Sequence, residues 1–259
     1  MRRRVLLRRF LSKGPIATDN TDYRKPTSEL DLVAIAFNEP WVIRHQIRLL
    51  RKHLRDPFTY SVVDNSSSTD TRAIIRDICK EQDVPYLGLP KNPFTGDPSS
   101  SHGAALTWAY RNYLKPRGAP YFGFLDHDVF PTKPTTIVDR LHGRAVYGVL
   151  QQRERKWYLW PGFAFFEREC VRVDLSLMPS PGLDTGGAAW ESLYSHLDKE
   201  RLYPLYCRLE SLRGDGPIEV VQADSVAWFE DWLHLLNASR WLDVPGREAA
   251  LDEELLESL

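Results

Sequence analysis

The stretch PYFGFLDHDVFP, residues 120–131, decides the fold and points to a site. Its apolar run is rich in aromatic residues and follows Pro120, which is typical of a buried strand in an α/β sheet. The run ends abruptly at three polar residues, Asp126, His127 and Asp128. Because side chains alternate along an extended chain, the two aspartates should point the same way. We therefore expect two carboxylates side by side at the carboxyl end of a strand.

Two neighbouring carboxylates repel each other unless a cation lies between them. Hard divalent cations prefer oxygen ligands, and in open α/β sheets the ligand crevice lies outside the carboxyl ends of the strands. The pair Asp126 and Asp128 therefore predicts a metal site where a phosphorylated ligand would bind. A solvated acidic turn is the alternative, because Asp is common in turns.

Outward from this stretch, the first half of the chain alternates between strand-like and helical patterns. The predicted strands are residues 30–37, 58–63 and 85–89, and polar residues follow each of them. The predicted helices begin at Pro40, at Thr69 or Asp70, and at about Gly103. Buried helix faces are expected at Ile43, Ile47, Leu50 and Leu54, and at Ile74, Ile75 and Ile78. This alternation predicts a parallel, doubly wound sheet. The first loop has no GxGxxG sequence and the chain has no Walker A sequence, which argues against dinucleotide-binding and P-loop folds.

The second half of the chain has a different character. A strand is predicted at 145–150, and the aromatic segment WYLWPGFAFF follows at 157–166. Within it, core packing is expected for Phe163, Phe165 and Phe166. Trp157 and Trp160 either pack in the core or form the floor of a sugar site. A helix at 188–196, a last strand at 218–221 and a helix-like amphipathic segment at 228–241 complete the pattern.

Composition sets the class of protein. The 259 residues suffice for one large domain or two small ones, and 42% hydrophobic with 27% charged residues is ordinary for a soluble protein. The net charge of −1 gives no overall attraction to nucleic acid. The three cysteines are scattered, which fits a reducing compartment. No apolar run reaches the roughly 20 residues that span a bilayer. We expect a cytoplasmic protein.

The N-terminus is an electrostatic exception, with five arginines and a lysine in MRRRVLLRRFLSKG. A basic amphipathic helix on the inner face of a membrane is one interpretation, and a frayed, solvated leader is the other. The predicted organisation is a leader at 1–28, a single domain at 29–242 and an acidic, solvated tail at 243–259. That domain would divide into halves at 29–131 and 132–242.

Several segments in this order resemble the GT-A glycosyltransferases, particularly the large inverting family that uses nucleotide sugars. FNEP at 37–40 is similar to the end of that family's first strand, and VVDNSSSTDT at 62–71 resembles its VDDGSTDGT loop. KNPF at 91–94 and SSSHGAALTWAYRN at 99–112 resemble the segment before the metal motif, and LDHD resembles the DxD motif itself. The similarity is ordered over 30–166 and looser to residue 241. Asn65 departs from the pattern, because the family has a second aspartate there.

The resemblance implies a GT-A-type, Rossmann-like α/β fold: a mixed, mainly parallel sheet flanked by helices, with a C-terminal acceptor-side region. It also implies a nucleotide-sugar donor and a Mn²⁺ or Mg²⁺ ion. The implied metal ligands are Asp126, Asp128 and His234, a lone packed histidine being the alternative for His234. The implied nucleotide-binding residues are Phe37, Asn38, Glu39, Asp64, Asn65, Asn92, His102, Asp126 and His127.

For the catalytic base, the resemblance points to a carboxylate near a glycine-rich turn after the metal motif. Asp184 is the first candidate, Glu191 the second and the Glu230–Asp231 pair the third. The implied acceptor-side residues are Trp157, Trp160, Gly186 and Gly187. The expected activity is metal-dependent transfer of a sugar, with inversion, from a UDP-type donor to a glycan or lipid-linked acceptor. The alternatives are an inactive binding protein of the same fold and a sugar-phosphate nucleotidyltransferase, although the first loop lacks the latter's glycine-rich, basic sequence.

Overall fold

A computed structural model describes residues 2–19, 28–199, 203–205, 207–211, 225–236, 238 and 249–259. The strands are β1 Ala17–Thr18, β2 Leu30–Ala36, β3 Phe58–Asp64, β4 Tyr86–Gly88, β5 Tyr121–Asp126, β6 Val129–Pro131, β7 Val146–Arg153, β8 Lys156–Glu167, β9 Tyr203–Leu205, β10 Arg208–Ser211, β11 Ser225–Phe229 and β12 Trp232–Leu235. The α-helices are α1 Arg2–Leu11, α2 Pro40–His53, α3 Thr69–Glu81, α4 Pro98–Ala109, α5 Lys115–Arg117, α6 Val138–Leu141, α7 Ala189–Ser192 and α8 Ala249–Ser258.

The main sheet has eight strands in the order β1-β4-β3-β2-β5-β8-β7-β9. The four strands β4, β3, β2 and β5 run parallel to one another, whereas β8 runs antiparallel to both β5 and β7. The central strand β2 is buried along its whole length, as a sheet covered by helices on both faces requires. The predicted α/β class with a mixed, mainly parallel sheet is confirmed.

The helices of the first half bury the faces that their spacing predicted, with two corrections. In α2 the residues Ile43, Ile47 and Leu50 are buried. The cap of α3 is Ser68 rather than Thr69 or Asp70, because its hydroxyl accepts the backbone N–H of Thr71. Ile74 lies on the solvent side of α3 and is 51% exposed, so the predicted core face of this helix wrongly included it.

Helix α4 begins at Pro98, five residues before the predicted start at Gly103. Asp97 caps it by accepting the backbone N–H of Ser100, and a proline suits the first turn because it needs no hydrogen-bond donor there. A π-helical turn at Tyr110–Leu114 carries the chain on to α5. Because α4 lies in the core with nearly all of its side chains buried, its first turns are held at the edge of the sheet.

The N-terminal segment packs on the domain, which rules out the frayed leader, one of the two interpretations of this segment. Phe10 and Leu11 of α1 are buried in the same core cluster as α4. Trp108 donates its indole N–H to the Lys13 carbonyl at 2.8 Å. The chain then adds β1 to the edge of the sheet beside β4. Among the described residues, none of the helices combines the length and apolar character needed to cross a bilayer.

A second sheet, ordered β10-β11-β12-β6, replaces the helix predicted for residues 228–241. The strands β11 and β12 form an antiparallel hairpin, and β12 pairs with β6 directly after the LDHD sequence. The predicted helix at 188–196 is broken into α7 and a short 3₁₀ turn at Tyr194–His196. The predicted strand at 218–221 lies outside the described residues.

The C-terminal helix α8 also differs from the predicted solvated tail. Leu256 is fully buried with Val42 and Leu49 of α2 in a third core cluster. The Arg48 guanidinium of α2 donates to the Leu256 carbonyl. Helix α8 therefore covers the outer face of α2.

Candidate functional site

The acidic turn, residues Asp126–Asp128, lies where the main sheet passes into the second sheet. Asp126 is the last residue of β5, and β6 begins at Val129. Asp126 lies opposite Ile35 near the end of β2, so the turn stands at the carboxyl edge of the parallel strands, as the sequence predicted. The Asp126 side chain is 18% exposed and that of Asp128 is 6% exposed. Two carboxylates are thus held at the edge of the sheet with little access to water.

Gln46 of α2 fixes the backbone of the acidic turn. Its side-chain amide donates to the Asp126 carbonyl and to the Val129 carbonyl, both at 2.7 Å, and so bridges the two ends of the turn. The Tyr60 hydroxyl of β3 donates to the Gln46 side-chain oxygen. Gln46 is completely buried. Sequence reasoning missed this residue, although a glutamine at a core-facing position between Ile43 and Ile47 was a usable signal.

His234 reaches the acidic turn from the hairpin. Because β12 pairs with β6, His234 lies opposite Val129. The Leu235 backbone N–H donates to the Asp128 carbonyl at 3.0 Å. The His234 Nε2 atom then lies 3.4 Å from the Asp128 Oδ1 atom. The structure thus brings together the predicted pair Asp128 and His234, although it does so through a strand rather than a helix.

His102 reaches the acidic turn from the opposite side. It lies in the second turn of α4, and its Nε2 atom is 3.2 Å from the Asp126 Oδ1 atom. The two atoms are within ion-pair distance but without the alignment of a hydrogen bond, so the imidazole nitrogen remains unsatisfied. Such a buried, unpartnered nitrogen is unusual in a folded protein and is open to a hydrogen bond with a bound ligand.

Burial and close packing of like groups shape the electrostatics of the turn. Burial, together with the neighbouring Asp128 carboxylate, raises the pKa of Asp126 to about 7. Burial alone would raise the pKa of Asp128, but the adjacent His234 ring and then His127 outweigh it, and the net direction is downward. Burial lowers the pKa of His102 to about 4 and also lowers the pKa of His127. At the acidic turn, a charged side chain is therefore costly unless a group of opposite charge lies beside it.

The two tryptophans proposed for the acceptor side have different surroundings. Trp160 is partly exposed and packs on His234 with ring centroids 4.7 Å apart, directly beside the acidic turn. A Cβ atom at Gly162 would meet the Trp160 ring and would stand 2.5 Å from Asp126 Oδ2, so glycine is needed there. Trp157 is buried against Trp190 and Tyr194 in the main core. The core-packing alternative therefore holds for Trp157, because the residue is only 6% exposed.

Asp184 lies on a loop beside the start of α4. Its Oδ1 atom accepts hydrogen bonds from the Ser99 hydroxyl and from the Thr185 backbone N–H. The side chain is exposed, and its charge acts on both Asp126 and His102. Asp184 therefore lies near enough to the acidic turn for its charge to act there.

Gly186 and Gly187 shape this loop and are themselves buried. Gly186 has a φ of 91°, which favours glycine, and a Cβ atom there would lie 3.1 Å from Pro161. A Cβ atom at Gly187 would collide with Leu183. The two glycines thus place Asp184 against β8, and their burial argues against direct contact with an acceptor.

The other candidate bases have different surroundings. Glu191 is an exposed residue of α7, and no contact between it and the acidic turn is found in the described part of the chain. Glu230 and Asp231 form the hairpin turn at the opposite end of β12 from His234. Glu230 pairs with Arg140 at 3.4 Å, and Asp231 lies 3.8 Å from Lys133. That pair belongs to the outer end of the hairpin.

The nucleotide-side residues after β3 and β4 bond mainly to one another. Asp64 is fully buried, its Oδ1 atom accepting the Ser66 backbone N–H and its Oδ2 atom the Tyr86 hydroxyl, both at 2.8 Å. The Asn92 amide donates to the side-chain oxygen of Asn65, and the Asn65 amide donates to the Ser101 hydroxyl. The burial of Asp64 argues against the implied contact with a nucleoside, and its two hydrogen bonds hold the loop after β3.

The loop after β2 presents more accessible groups. Phe37, Asn38 and Glu39 are partly exposed. Asn38 has a φ of 57° and is tied to the loop after β3, since its side-chain oxygen accepts the Ser67 backbone N–H at 3.0 Å. The Phe37 backbone N–H donates to His127 Nδ1 at 3.4 Å, which links this loop to the acidic turn. Phe37 and the two residues after it therefore lie next to the acidic turn.

The donor set at the turn suits a divalent cation that brings further ligands with it. No group of three or more His, Cys, Asp or Glu side chains in residues 2–19, 28–199 or the described segments beyond them is arranged to hold a metal ion on its own. Two carboxylates and an imidazole are nevertheless donors that Mn²⁺ accepts. The absence of a side chain at Gly162 lets the Trp160 ring and the Asp126 carboxylate pack against the backbone there. The residues present therefore fit a metal ion that is completed by a bound ligand.

Comparison with known proteins gives similarity of structure only. No protein-family model matches the chain, and no curated protein matches it. The chain resembles several solved glycosyltransferases in structure. One is the mannosyltransferase PcManGT from Pyrobaculum calidifontis, in complex with GDP-Man and Mn²⁺, at 14% identity and a TM-score of 0.40 over 64% of this chain and 51% of that one.

Two further structures resemble the chain to the same degree. Glucosyl-3-phosphoglycerate synthase from Mycobacterium tuberculosis matches at 16% identity and a TM-score of 0.40, over 56% of this chain and 59% of that one. The mannosyltransferase Ktr4p from S. cerevisiae matches at 12% identity and a TM-score of 0.39, over 68% of this chain and 66% of that one. The chain thus spans half to two thirds of these proteins. At such low identities and TM-scores, function has to be inferred from the site itself.

Proposed function

We propose that this protein is a metal-dependent glycosyltransferase that moves a sugar, with inversion, from a nucleotide-sugar donor to a hydroxyl group of a glycan or lipid-linked acceptor. The observation that carries the proposal is the convergence of four side chains from three separate parts of the chain. Asp126 and Asp128 lie on the turn, His102 comes from α4 and His234 from β12. A turn with only a structural role would not need two nearly buried carboxylates flanked by two imidazoles.

Asp126, Asp128 and His234 are the residues that would hold the metal ion. A bound Mn²⁺ or Mg²⁺ would supply Lewis-acid stabilisation of the negative charge that develops on the leaving nucleoside diphosphate. Gln46 and the Leu235 backbone N–H hold the backbone of the turn, so that the two carboxylates need not reorganise when the donor binds. The partly buried His102 faces the same space and would donate to a diphosphate oxygen.

The donor's nucleoside would lie along the loop after β2. Phe37, Asn38 and Glu39 are the accessible residues there, and the link from Phe37 to His127 joins the nucleoside side to the acidic turn. UDP is the expected carrier because of the family resemblance. Asp64, Asn65 and Asn92 would support this surface from beneath.

Asp184 is the proposed general base. The acceptor oxygen would attack the anomeric carbon from the face opposite the leaving group, and its proton would pass to the Asp184 carboxylate. The bond between the anomeric carbon and the phosphate oxygen would break, its electron pair remaining on the nucleoside diphosphate. The hydrogen bond from Ser99 and the glycine turn hold Asp184 beside the start of α4. Trp160 would pack against the apolar face of a sugar.

The direct test is release of nucleoside diphosphate from a panel of UDP- and GDP-sugars with Mn²⁺, followed by NMR of the anomeric proton of the product. The proposal predicts metal-dependent release and an inverted anomeric centre. Asp128→Ala should abolish release, whereas Asp139→Ala, in the exposed part of α6, should leave it unchanged.

Other results would contradict the proposal in identifiable ways. Metal-dependent nucleotide binding without release from any donor would indicate an inactive binding protein. Release of pyrophosphate from a nucleoside triphosphate and a sugar phosphate would indicate a nucleotidyltransferase. Retention at the anomeric carbon would remove the role of Asp184 as the base.

A further inference from the structure

Helix α1 carries a concentrated positive charge on a nearly neutral protein. Its ten residues, RRRVLLRRFL, include five arginines and no acidic residue, whereas the whole chain has a net charge of −1. The side chains of Arg2, Arg4, Arg8 and Arg9 are exposed. In the part of the chain that the structure describes, Arg3 is the only one of the five with a salt-bridge partner, Asp97 at 2.6 Å. Four guanidinium groups therefore face solvent together.

The apolar side of the same helix is already used. Phe10 and Leu11 are buried in the main core, and Leu6 and Leu7 are partly buried against it. A helix that lies in the headgroup region through its apolar face needs that face free. In α1 the apolar face packs on the protein, so the surface that remains is the basic one. Contact with a membrane would therefore be electrostatic rather than insertion of the helix.

Two exposed aliphatic side chains lie in the N-terminal segment: Val5 is among the arginines of α1, and Ile16 follows the helix. The described residues contain three exposed large hydrophobic side chains, and two of these, Val5 at 42% and Ile16 at 65%, lie in the N-terminal segment. Aliphatic groups among arginines suit the boundary of a lipid bilayer, where both chemistries are present. Proteins that bind single-stranded nucleic acid add exposed aromatic side chains on which the bases stack, and the exposed residues of α1 include none. The basic surface of α1 thus favours a lipid partner.

The position of α1 relies on the same helix that supports the candidate site. Arg3 donates to Asp97 and to Ser100 at the start of α4. The next residues of α4 carry Ser99, which binds Asp184, and His102, which lies beside Asp126. Residues 97–102 therefore contact the basic helix through Asp97 and Ser100, and they reach the acidic turn through His102.

We propose that the basic surface of α1, formed by Arg2, Arg4, Arg8 and Arg9 with Val5, docks the protein on an anionic phospholipid surface. The contact is electrostatic, with the Val5 side chain reaching the headgroup boundary. The docking does not depend on the proposed transfer reaction.

The test is co-sedimentation of the full chain with phosphatidylcholine vesicles, with and without phosphatidylglycerol. We expect binding only to the vesicles that contain phosphatidylglycerol, and weaker binding as salt is added. Arg8→Gln/Arg9→Gln should weaken it about 25-fold, that is about fivefold for each arginine. Arg8→Lys/Arg9→Lys should restore it, because the charge is kept. Arg153→Gln/Arg155→Gln, which removes the same charge from the exposed β7–β8 hairpin, should change it little.

The remaining outcomes separate docking from chemistry. Asp128→Ala should bind vesicles as the wild type does, so loss of the transfer activity would leave the docking result intact. Equal binding to both kinds of vesicle, or equal losses in the two glutamine pairs, would overturn the proposal. Arginine-dependent binding to a DNA or RNA duplex without vesicle binding would overturn it as well.

Discussion

The loops after β3 and β4 and the acidic turn are both rich in polar side chains, yet they use them differently. In the loops, hydrogen bonds join the side chains of Asp64, Asn65 and Asn92 to neighbouring groups of the protein. In the acidic turn the backbone is held by Gln46 and Leu235, and each of the two carboxylates lies beside an imidazole ring, His102 for Asp126 and His234 for Asp128. A polar residue at the end of a strand therefore lines a site only when its own hydrogen bonds are not already made inside the fold.

The largest difference in kcat is expected between variants of Asp184 and Glu191, the first and second candidates for the base. Asp184→Asn should lower kcat by about 10²- to 10⁴-fold, because the acceptor proton would lose its base. Glu191→Gln should leave kcat unchanged, since Glu191 is exposed on α7. Steady-state rates with the active donor measure both. A larger loss in Glu191→Gln than in Asp184→Asn would reverse the assignment.

The two tryptophans give the next contrast. Trp157→Ala should lower the free energy of unfolding by about 3–5 kcal/mol, because a buried ring packed on Trp190 and Tyr194 would leave a cavity. Trp160→Ala should cost less stability and should raise the KM for the acceptor. Urea unfolding and acceptor titrations give the two quantities. Equal losses of stability in both variants would mean that Trp160 is also a core residue.

Gln46 tests whether the backbone of the acidic turn is held as the geometry indicates. Gln46→Met keeps the size of the side chain but removes the donors to the Asp126 and Val129 carbonyls. We expect affinity for Mn²⁺ in the presence of UDP to fall about 10- to 100-fold, as for residues that orient metal ligands. Gln82→Met, at the C-terminal end of α3, is the matched control. An unchanged affinity in Gln46→Met would show that the turn holds its shape without the amide.

The smallest expected effect concerns Asp64. Tyr86→Phe removes one hydrogen bond to the buried Asp64 carboxylate and should lower the free energy of unfolding by about 1–3 kcal/mol. The affinity for UDP should stay close to that of the wild type, because Asp64 supports the loop from inside. Calorimetry of UDP binding checks this point. A large loss of UDP affinity together with a small loss of stability would indicate that Asp64 contacts the nucleotide directly.

The sequence predicted the parallel part of the sheet well, because a strand such as β2 that is buried on both faces reads as one continuous apolar run. The same reasoning failed at 228–241, where the spacing of aromatic residues fitted a helix. The hairpin there is held by pairing between β12 and β6, about 100 residues earlier in the chain, and local periodicity does not contain that information.

The candidate site was predictable to the extent that it lies at the ends of strands. Asp126, Asp128 and their place at the edge of the sheet followed from alternation along β5. Gln46 and the buried state of Asp64 did not, because a hydrogen-bond partner on another element decides both. The packing of α1 and α8 was missed for a related reason, since the surfaces that receive their apolar residues belong to α4 and α2, far away in the chain.

The most direct measurement is UDP binding by calorimetry, with and without Mn²⁺, for the wild type and for Asp128→Ala. The account predicts binding by the wild type that requires the metal and that disappears in Asp128→Ala. Binding that is independent of the metal would leave a nucleotide site but contradict the role given to the acidic turn. No binding of UDP, GDP or any other nucleotide would contradict the account as a whole.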